Sequence, residues 1–203
     1  MREDVLLARC RKGNPRAFEE LVELYEKKVY NLAYRMLGNM EDARDITQDA
    51  FIKVYSSLSN FRGDSSFSTW LFKIVSNMCL DELRRRGRRS FVSLDEPLQQ
   101  EDGEMPRQMP DLKMDLEKEV EDRYIQAMVH RAILSLTADH RMVIALRDLQ
   151  GFSYEEIAEM MDCSLGTVKS RINRARLALR RQMEEGELFL PDDVQSGRRE
   201  GGR

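Results

Sequence analysis

Apolar residues recur at three- and four-residue steps along most of the chain, the spacing that lines one face of a helix. Asn14-Pro15 supplies an N-cap and a proline at the first helical position, and Leu21, Tyr25, Val29, Leu32 and Met36 follow on one stripe. Gly38 is placed to end that helix in the left-handed conformation only glycine adopts freely. A second helix over about 41–58 puts Ala43, Ile46, Ala50, Val54 and Leu58 on its inner stripe and leaves Asp42, Asp45, Gln48 and Asp49 largely outside it. A third begins after the 61–66 loop, with Trp70, Leu71, Ile74, Met78 and Leu83 expected to face inward, and runs out into Arg84, Arg85, Arg86, Arg88 and Arg89. The second half predicts helices near 122–136, 138–149, 154–161 and 165–184, with no internal repeat. Gly151 closes one of them. Ser153 and Glu156 have the spacing of a capping box, in which each side chain satisfies the other's free backbone amide. Ser164 is the expected N-cap of the last helix. Helix, three-residue turn and helix are the skeleton of a helix-turn-helix, with Ala158 where close packing needs a small residue.

Charge divides the chain where periodicity fades. Between 95 and 122 stand eleven acidic and three basic residues, a balance of −8, with three of the five prolines in the same stretch. That composition predicts an acidic, flexible linker. The expected organisation is all-α: a first helical domain over 1–92, a linker over 93–120, a helix-turn-helix domain over 121–186 and a disordered tail over 187–203.

Composition removes most enzyme classes. The 203 residues are 34% charged and 7% aromatic, with 11 glycines, which suits helices better than sheets. The longest apolar run, 142–146, is far shorter than the roughly 20 residues of a membrane span. No secretory signal is visible, so a cytoplasmic location is expected. Cys10, Cys79 and Cys163 form no paired motif and read as buried apolar thiols, and His130 and His140 read as surface or partly buried helix residues. No phosphate loop, dinucleotide fingerprint or nucleophile elbow occurs, so neither a cofactor, a metal nor a catalytic residue is expected.

Three constellations carry chemistry. In the last helix Leu165, Val168, Ile172, Ala175 and Leu179 form the inner stripe, while Lys169, Ser170, Asn173 and Arg174 project elsewhere, and no acid interrupts 165–181. Long cations with an amide and a hydroxyl are what reading of major-groove edges requires. In 61–89, Phe61, Phe67, Trp70 and Phe72 are interleaved with Asn77 and arginines, a mixture that suits stacked single strands, although Trp70 and Phe72 equally fit a core. Asp42, Asp45 and Asp49 offer either a docking face for a basic partner or a solvated helix face. With a pI near 5.6 the chain is repelled by DNA at long range, so a larger partner is expected to deliver it.

These residues resemble the extracytoplasmic-function sigma factors of bacterial RNA polymerase. The resemblance rests on Gly13-Asn-Pro-Arg-Ala-Phe18, Asp42-Ala-Arg-Asp-Ile-Thr-Gln-Asp-Ala-Phe-Ile-Lys-Val-Tyr55, Phe61-Arg-Gly-Asp-Ser-Ser-Phe-Ser-Thr-Trp-Leu71, Gly151-Phe-Ser-Tyr-Glu-Glu-Ile-Ala158 and Gly166-Thr-Val-Lys-Ser-Arg-Ile-Asn-Arg-Ala-Arg176. The later segments look closest to the envelope-stress, sigma-E-like subgroup. The resemblance implies an initiation factor that binds core RNA polymerase through Asp42, Asp45, Gln48, Asp49 and Lys53. It implies a minus-ten base pocket and melted junction at Phe61, Phe67, Trp70, Ile74 and Asn77, with Arg84, Arg85 and Arg86 on the adjacent backbone. It implies minus-thirty-five reading by Lys169, Ser170, Asn173 and Arg174, with Thr167, Arg171 and Arg176 toward phosphates or packing. It further implies a linker threading near the polymerase channel, and an anti-sigma partner, commonly membrane-anchored. A stand-alone helix-turn-helix regulator is the alternative. Two positions depart from the family pattern. Thr137 stands where a proline is usual and still caps a helix. Asp162 stands where glycine is common in the turn, which must avoid or tolerate a positive backbone angle there.

Overall fold

The computed structural model describes residues 2–92 and 116–187, with side chains over 3–88 and 125–184. Among these residues there are helices and no strands. The first group comprises α1 (Arg2–Arg11), α2 (Pro15–Leu37), α3 (Met40–Ser57) and α4 (Phe67–Val92), with a 3₁₀ turn at Leu58–Asn60. The second comprises α5 (Leu116–Leu134), α6 (Ala138–Ile144), α7 (Tyr154–Met160) and α8 (Leu165–Glu187), with a π-helical turn at Ala145–Leu149 widening the end of α6. The expected linker and tail lie outside the described residues, apart from 116–120, which already belong to α5, and Glu187, the last residue of α8.

Capping sets the boundaries. Asn14 Oδ1 accepts from the Ala17 amide at 3.2 Å, Pro15 follows, and the whole expected α2 stripe from Leu21 to Met36 is buried. Gly38 closes α2 at φ 75°, and its amide donates to the Tyr34 carbonyl at 2.9 Å. A Cβ there would also lie 2.8 Å from Leu134 Cδ1, so the glycine lets α5 pass close to the end of α2. Asn39 caps α3 through the Glu41 and Asp42 amides. On the Ser153–Glu156 capping box both reciprocal bonds are present, at 3.1 and 2.8 Å. Ser164 accepts from the Thr167 amide at 3.1 Å as the N-cap of α8.

Four expectations change. Helix α1 is present where no element was predicted; Leu6 and Leu7 bury one edge of it against α2. In α4 the core face is Phe67, Leu71, Phe72, Val75, Cys79 and Leu80, whereas Trp70, Ile74, Met78 and Leu83 are only partly buried, so the inward stripe is rotated toward Phe72. Of the cysteines only Cys79 is buried, and desolvation pushes its thiol up to about 12. His130, expected at the surface or partly buried, is buried, because α5 lays it against Tyr34 of α2 with ring centroids 4.6 Å apart. At the helix-turn-helix corner Asp162 does adopt a positive φ, 47°, the strained option for a side chain with a Cβ.

Candidate nucleic-acid interface and docking face

The capped turn fixes the direction of α8. Val168, Ile172 and Ala175 are buried under it against α6 and α7, which turns Lys169, Ser170, Asn173 and Arg174 to solvent on the opposite side. Arg171 and Arg176 are differently placed. Arg171 pairs with Asp139 of α6 at 2.9 Å, and Arg176 pairs with Asp148 at 2.5 Å. These two arginines anchor α8 to its own domain, the packing half of their expected role. Thr167 Oγ1 shares a 2.8 Å hydrogen bond with Ser164 Oγ and Ser170 Oγ donates to the Thr167 carbonyl at 2.9 Å, so the first turn of α8 is internally braced. The exposed quartet thus combines two cations, an amide and a hydroxyl, donors and acceptors able to engage base edges and phosphates.

The second surface lies on α4. Trp70, Ile74, Asn77 and Arg84 recur at helical steps on one face, with Asn77 and Arg84 exposed and Trp70 and Ile74 half-buried. Phe61 and Phe67 are buried beneath Trp70, their ring centroids 5.1 and 5.8 Å from it. They form the floor of the aromatic cluster and are not open faces. Helix α1 pins that floor, which sequence reasoning missed: Arg11 Nη2 donates to the Phe61 carbonyl at 2.6 Å and its guanidinium lies 5.4 Å from the ring centroid. The basic end of α4 is already engaged. Arg84 pairs with Asp81 at 2.9 Å, Arg85 with Glu82 at 2.7 Å, and Arg86 bridges Glu82 at 2.9 Å and Asp42 of α3 at 2.5 Å. Hydrogen bonds from Arg85 and Arg86 outweigh partial burial and hold the Glu82 carboxyl down at about 2. Arg84 and Arg85 are exposed enough to exchange these partners for phosphate oxygens, whereas Arg86 mainly ties α4 to α3.

The third surface is the outer side of α3. Asp45, Gln48, Asp49 and Lys53 are exposed, while Asp42 is partly withdrawn by Arg86. Beside them Ile52 and Tyr55 stand 60% and 59% exposed, far more than large apolar side chains in a monomer's core-facing stripe. With Phe18, Val22 and Tyr30 of α2 they line an open groove of about 940 Å³, edged by Arg44 and Gln48. An apolar centre with a mixed-charge rim is the anatomy of a docking site for another protein. Ile52 and Tyr55 were not singled out from the sequence, although their places one and two turns beyond Gln48 and Asp49 on the same face were readable. Among the described residues no group of His, Cys, Asp and Glu is arranged to hold a metal, and no helix is long and apolar enough to cross a membrane.

Residues 21–89 match the family model Sigma-70 region 2, and residues 126–179 match Sigma-70, region 4. The first match contains the α3 and α4 faces and the second contains the helix-turn-helix. The chain is 42% identical over 177 residues to the ECF RNA polymerase sigma-E factor of Escherichia coli K12, spanning 87% of this chain and 92% of that one. It is 40% identical over 182 residues to the RNA polymerase sigma-H factor of Pseudomonas aeruginosa, spanning 88% and 92%. Among solved structures it resembles CnrH, described in complex with the cytosolic domain of CnrY, with a TM-score of 0.66, 25% identity, and 91% of this chain and 99% of that one covered. It also resembles RpoE of Bartonella quintana, described in complex with the anti-sigma factor NepR, with a TM-score of 0.65, 29% identity, and 82% and 96% covered. With both conserved-region models matched in order, and this identity sustained across nearly the whole chain, the protein belongs to the extracytoplasmic-function sigma factors, of the sigma-E type.

Proposed function

We propose that this sigma factor docks on core RNA polymerase through the α3 face, reads the upstream promoter element with Lys169, Ser170, Asn173 and Arg174, and stabilises the opened downstream element at Trp70, Ile74 and Asn77. The observation that carries this reading is the separation of three exposed surfaces on one chain: an apolar groove with a mixed-charge rim, an aromatic and amide face, and a capped helix bearing unpaired cations. Each matches a different partner chemistry, respectively a protein helix, an extruded base and duplex DNA. No group here does bond-making chemistry; differential binding to closed and open DNA does the work. Domain boundaries near 92 and 116 and an acidic connection between them complete the reading. The same exposed faces suit capture by an anti-sigma factor, the kind of partner with which RpoE of Bartonella quintana is described. The site of action is then the cytoplasm, at the membrane whenever such a partner is anchored there.

Asp49 tests the docking face because it is exposed and its replacement disturbs no packing. In equilibrium binding to purified core polymerase, Asp49→Lys is expected to weaken association about tenfold or more, the scale of reversing a charge at an electrostatically matched interface. Equal affinity of variant and parent would remove α3 from the docking surface.

A further inference from the structure

The two ends of α1 reach the two phenylalanines on which Trp70 rests. Near its start, the Tyr25 hydroxyl donates to the Glu3 carboxylate, and the Tyr25 ring meets Phe67 edge-on with centroids 5.5 Å apart. At its end, Arg11 Nη2 donates to the Phe61 carbonyl at 2.6 Å, across 50 positions of sequence, and its guanidinium lies over the Phe61 ring. The corner that carries Arg11 is itself closed. The Lys12 and Asn14 amides donate to the Arg9 carbonyl at 3.1 and 3.2 Å, the Gly13 amide donates to the Cys10 carbonyl at 2.9 Å, and Leu6 and Leu7 are buried. Phe61 is thereby held at both backbone groups, since its own amide donates to the Leu58 carbonyl at 3.2 Å. The loop that follows depends on this hold. Arg62, Gly63 and Asp64 are exposed, Gly63 turns at φ 85°, and a Cβ there would meet nothing within 4 Å, so no packing supports the crest. Its shape is set at its two ends: Ser66 Oγ accepts from the Thr69 amide at 3.0 Å on the far side, and Arg11 holds the near side.

We infer that α1 braces the site of promoter opening, with Arg11 as its positioning residue: by holding the Phe61 carbonyl and ring, Arg11 sets the entry of the 61–66 loop and the aromatic floor against which an unpaired base seats. The inference rests on the reading that Trp70, Ile74 and Asn77 stabilise the opened downstream element. Arg11 acts through Phe61 and does not itself touch the base. The Phe61 ring lies 5.1 Å from Trp70 and 5.8 Å from Phe67, so a pivot at Phe61 is passed directly to the half-buried Trp70. Helix α1 precedes residues 21–89, which match the region 2 model, so the family match by itself gives it no role. A pocket that is already shaped binds an extruded base more tightly, because a loop ordered only at the moment of capture subtracts its conformational entropy from the affinity. Loss of the brace therefore weakens the hold on unpaired DNA and leaves the α3 docking face as it was. A hydrogen bond from a charged donor shifts an equilibrium by about tenfold or more, which sets the expected scale. An exposed guanidinium at this rim has one rival role, direct contact with a phosphate of the strand, and the two roles respond differently to removal of the base.

The test uses the full-length protein assembled with core polymerase, and forked promoter DNA that is paired upstream and single-stranded from the downstream element onward. Each unpaired base is replaced in turn by an abasic site, and the affinity of the assembly for each fork is measured at several salt concentrations. In the parent one position should stand out as the seat of the extruded base. Arg11→Met keeps the aliphatic stem and removes the donors. It should weaken binding to the intact fork about tenfold, and by less than about twofold on the fork that lacks the seated base. Its affinity for core polymerase and the salt dependence of DNA binding should equal the parent's. A loss that persists in full on the abasic fork overturns the inference, and if the salt slope of log K is also shallower by about 0.7, Arg11 is a phosphate contact instead. Weaker core binding by Arg11→Met overturns it too, because the change then acts on the fold as a whole. A loss with Asn77→Ala and none with Arg11→Met overturns the brace alone. A parent indifferent to every abasic substitution overturns the downstream-element reading and the brace with it.

Discussion

His130 makes the fold sensitive to acid by an amount that can be worked out. Arg35 Nη1 lies 3.1 Å from its Nδ1, and since a guanidinium only donates, Nδ1 accepts and the ring proton sits on Nε2. That Nε2 is buried without a hydrogen-bond partner. Tyr34 stacks on the ring, and the nearby charges, Arg35 of α2 and Arg141 of α6, are both positive. Burial first, and then these two guanidiniums, pull the imidazole down from 6.5 to about 4. A depressed value means that the folded state excludes the proton. The stability is therefore fully present above about 6.5, is lost progressively as pH falls from there toward 4, and is lost entirely below that. Between pH 7.5 and 5.5 the cost is about 1 kcal/mol, and the full shift corresponds to about 3 kcal/mol. The window also isolates this residue from Glu82, which titrates at about 2 when folded and from 4.5 when not. Urea unfolding at the two pH values should show a loss of about 1 kcal/mol in the parent that is absent in His130→Phe, whose ring keeps the stack on Tyr34. Ring-proton NMR should place the native midpoint near 4. A native midpoint near 6.5, or the same pH dependence in both proteins, refutes the reasoning.

Other predictions read the proposed roles one at a time. Asn77→Ala should leave core binding intact and reduce promoter opening, measured by permanganate reactivity of unpaired thymines; unchanged reactivity removes the amide from the base-facing role. Arg174→Ala should cost about 1–3 kcal/mol of discrimination at one position of the upstream element. A uniform loss across all promoter variants would instead make Arg174 a phosphate contact. Ser153→Ala deletes one half of the capping box and should lower stability by about 1 kcal/mol, seen as a lower thermal midpoint, and a midpoint equal to the parent's would contradict the cap's contribution.

Local chemistry was legible in the sequence where it acts over a few residues. The caps at Asn14, Gly38, Ser153 and Ser164 follow from short-range hydrogen bonding and stand as expected. So does the exposed quartet of α8, because the buried stripe beneath it leaves it only one direction. What the sequence concealed depends on residues far apart. The rotation of the α4 core face toward Phe72 reflects its meeting with Phe152, which no periodicity within α4 encodes. His130 is buried because α5 crosses α2, and Arg171 and Arg176 are committed to Asp139 and Asp148 on the neighbouring helical segments. Helix α1 was missed because its apolar content is one short edge, which becomes useful only once α2 is beside it. The groove at Ile52 and Tyr55 shows the same limit: exposure is a property of the assembled surface.

The central claim is that this chain gives core polymerase a promoter preference, and run-off transcription tests it most directly. Purified core polymerase, with and without the protein, is supplied with fragments of the source genome and the transcripts are mapped. The account predicts start sites that appear only with the protein, each preceded by the same pair of upstream sequence elements. Identical transcripts in both reactions, together with specific duplex binding by the protein alone, would contradict it and identify a helix-turn-helix regulator that works without polymerase.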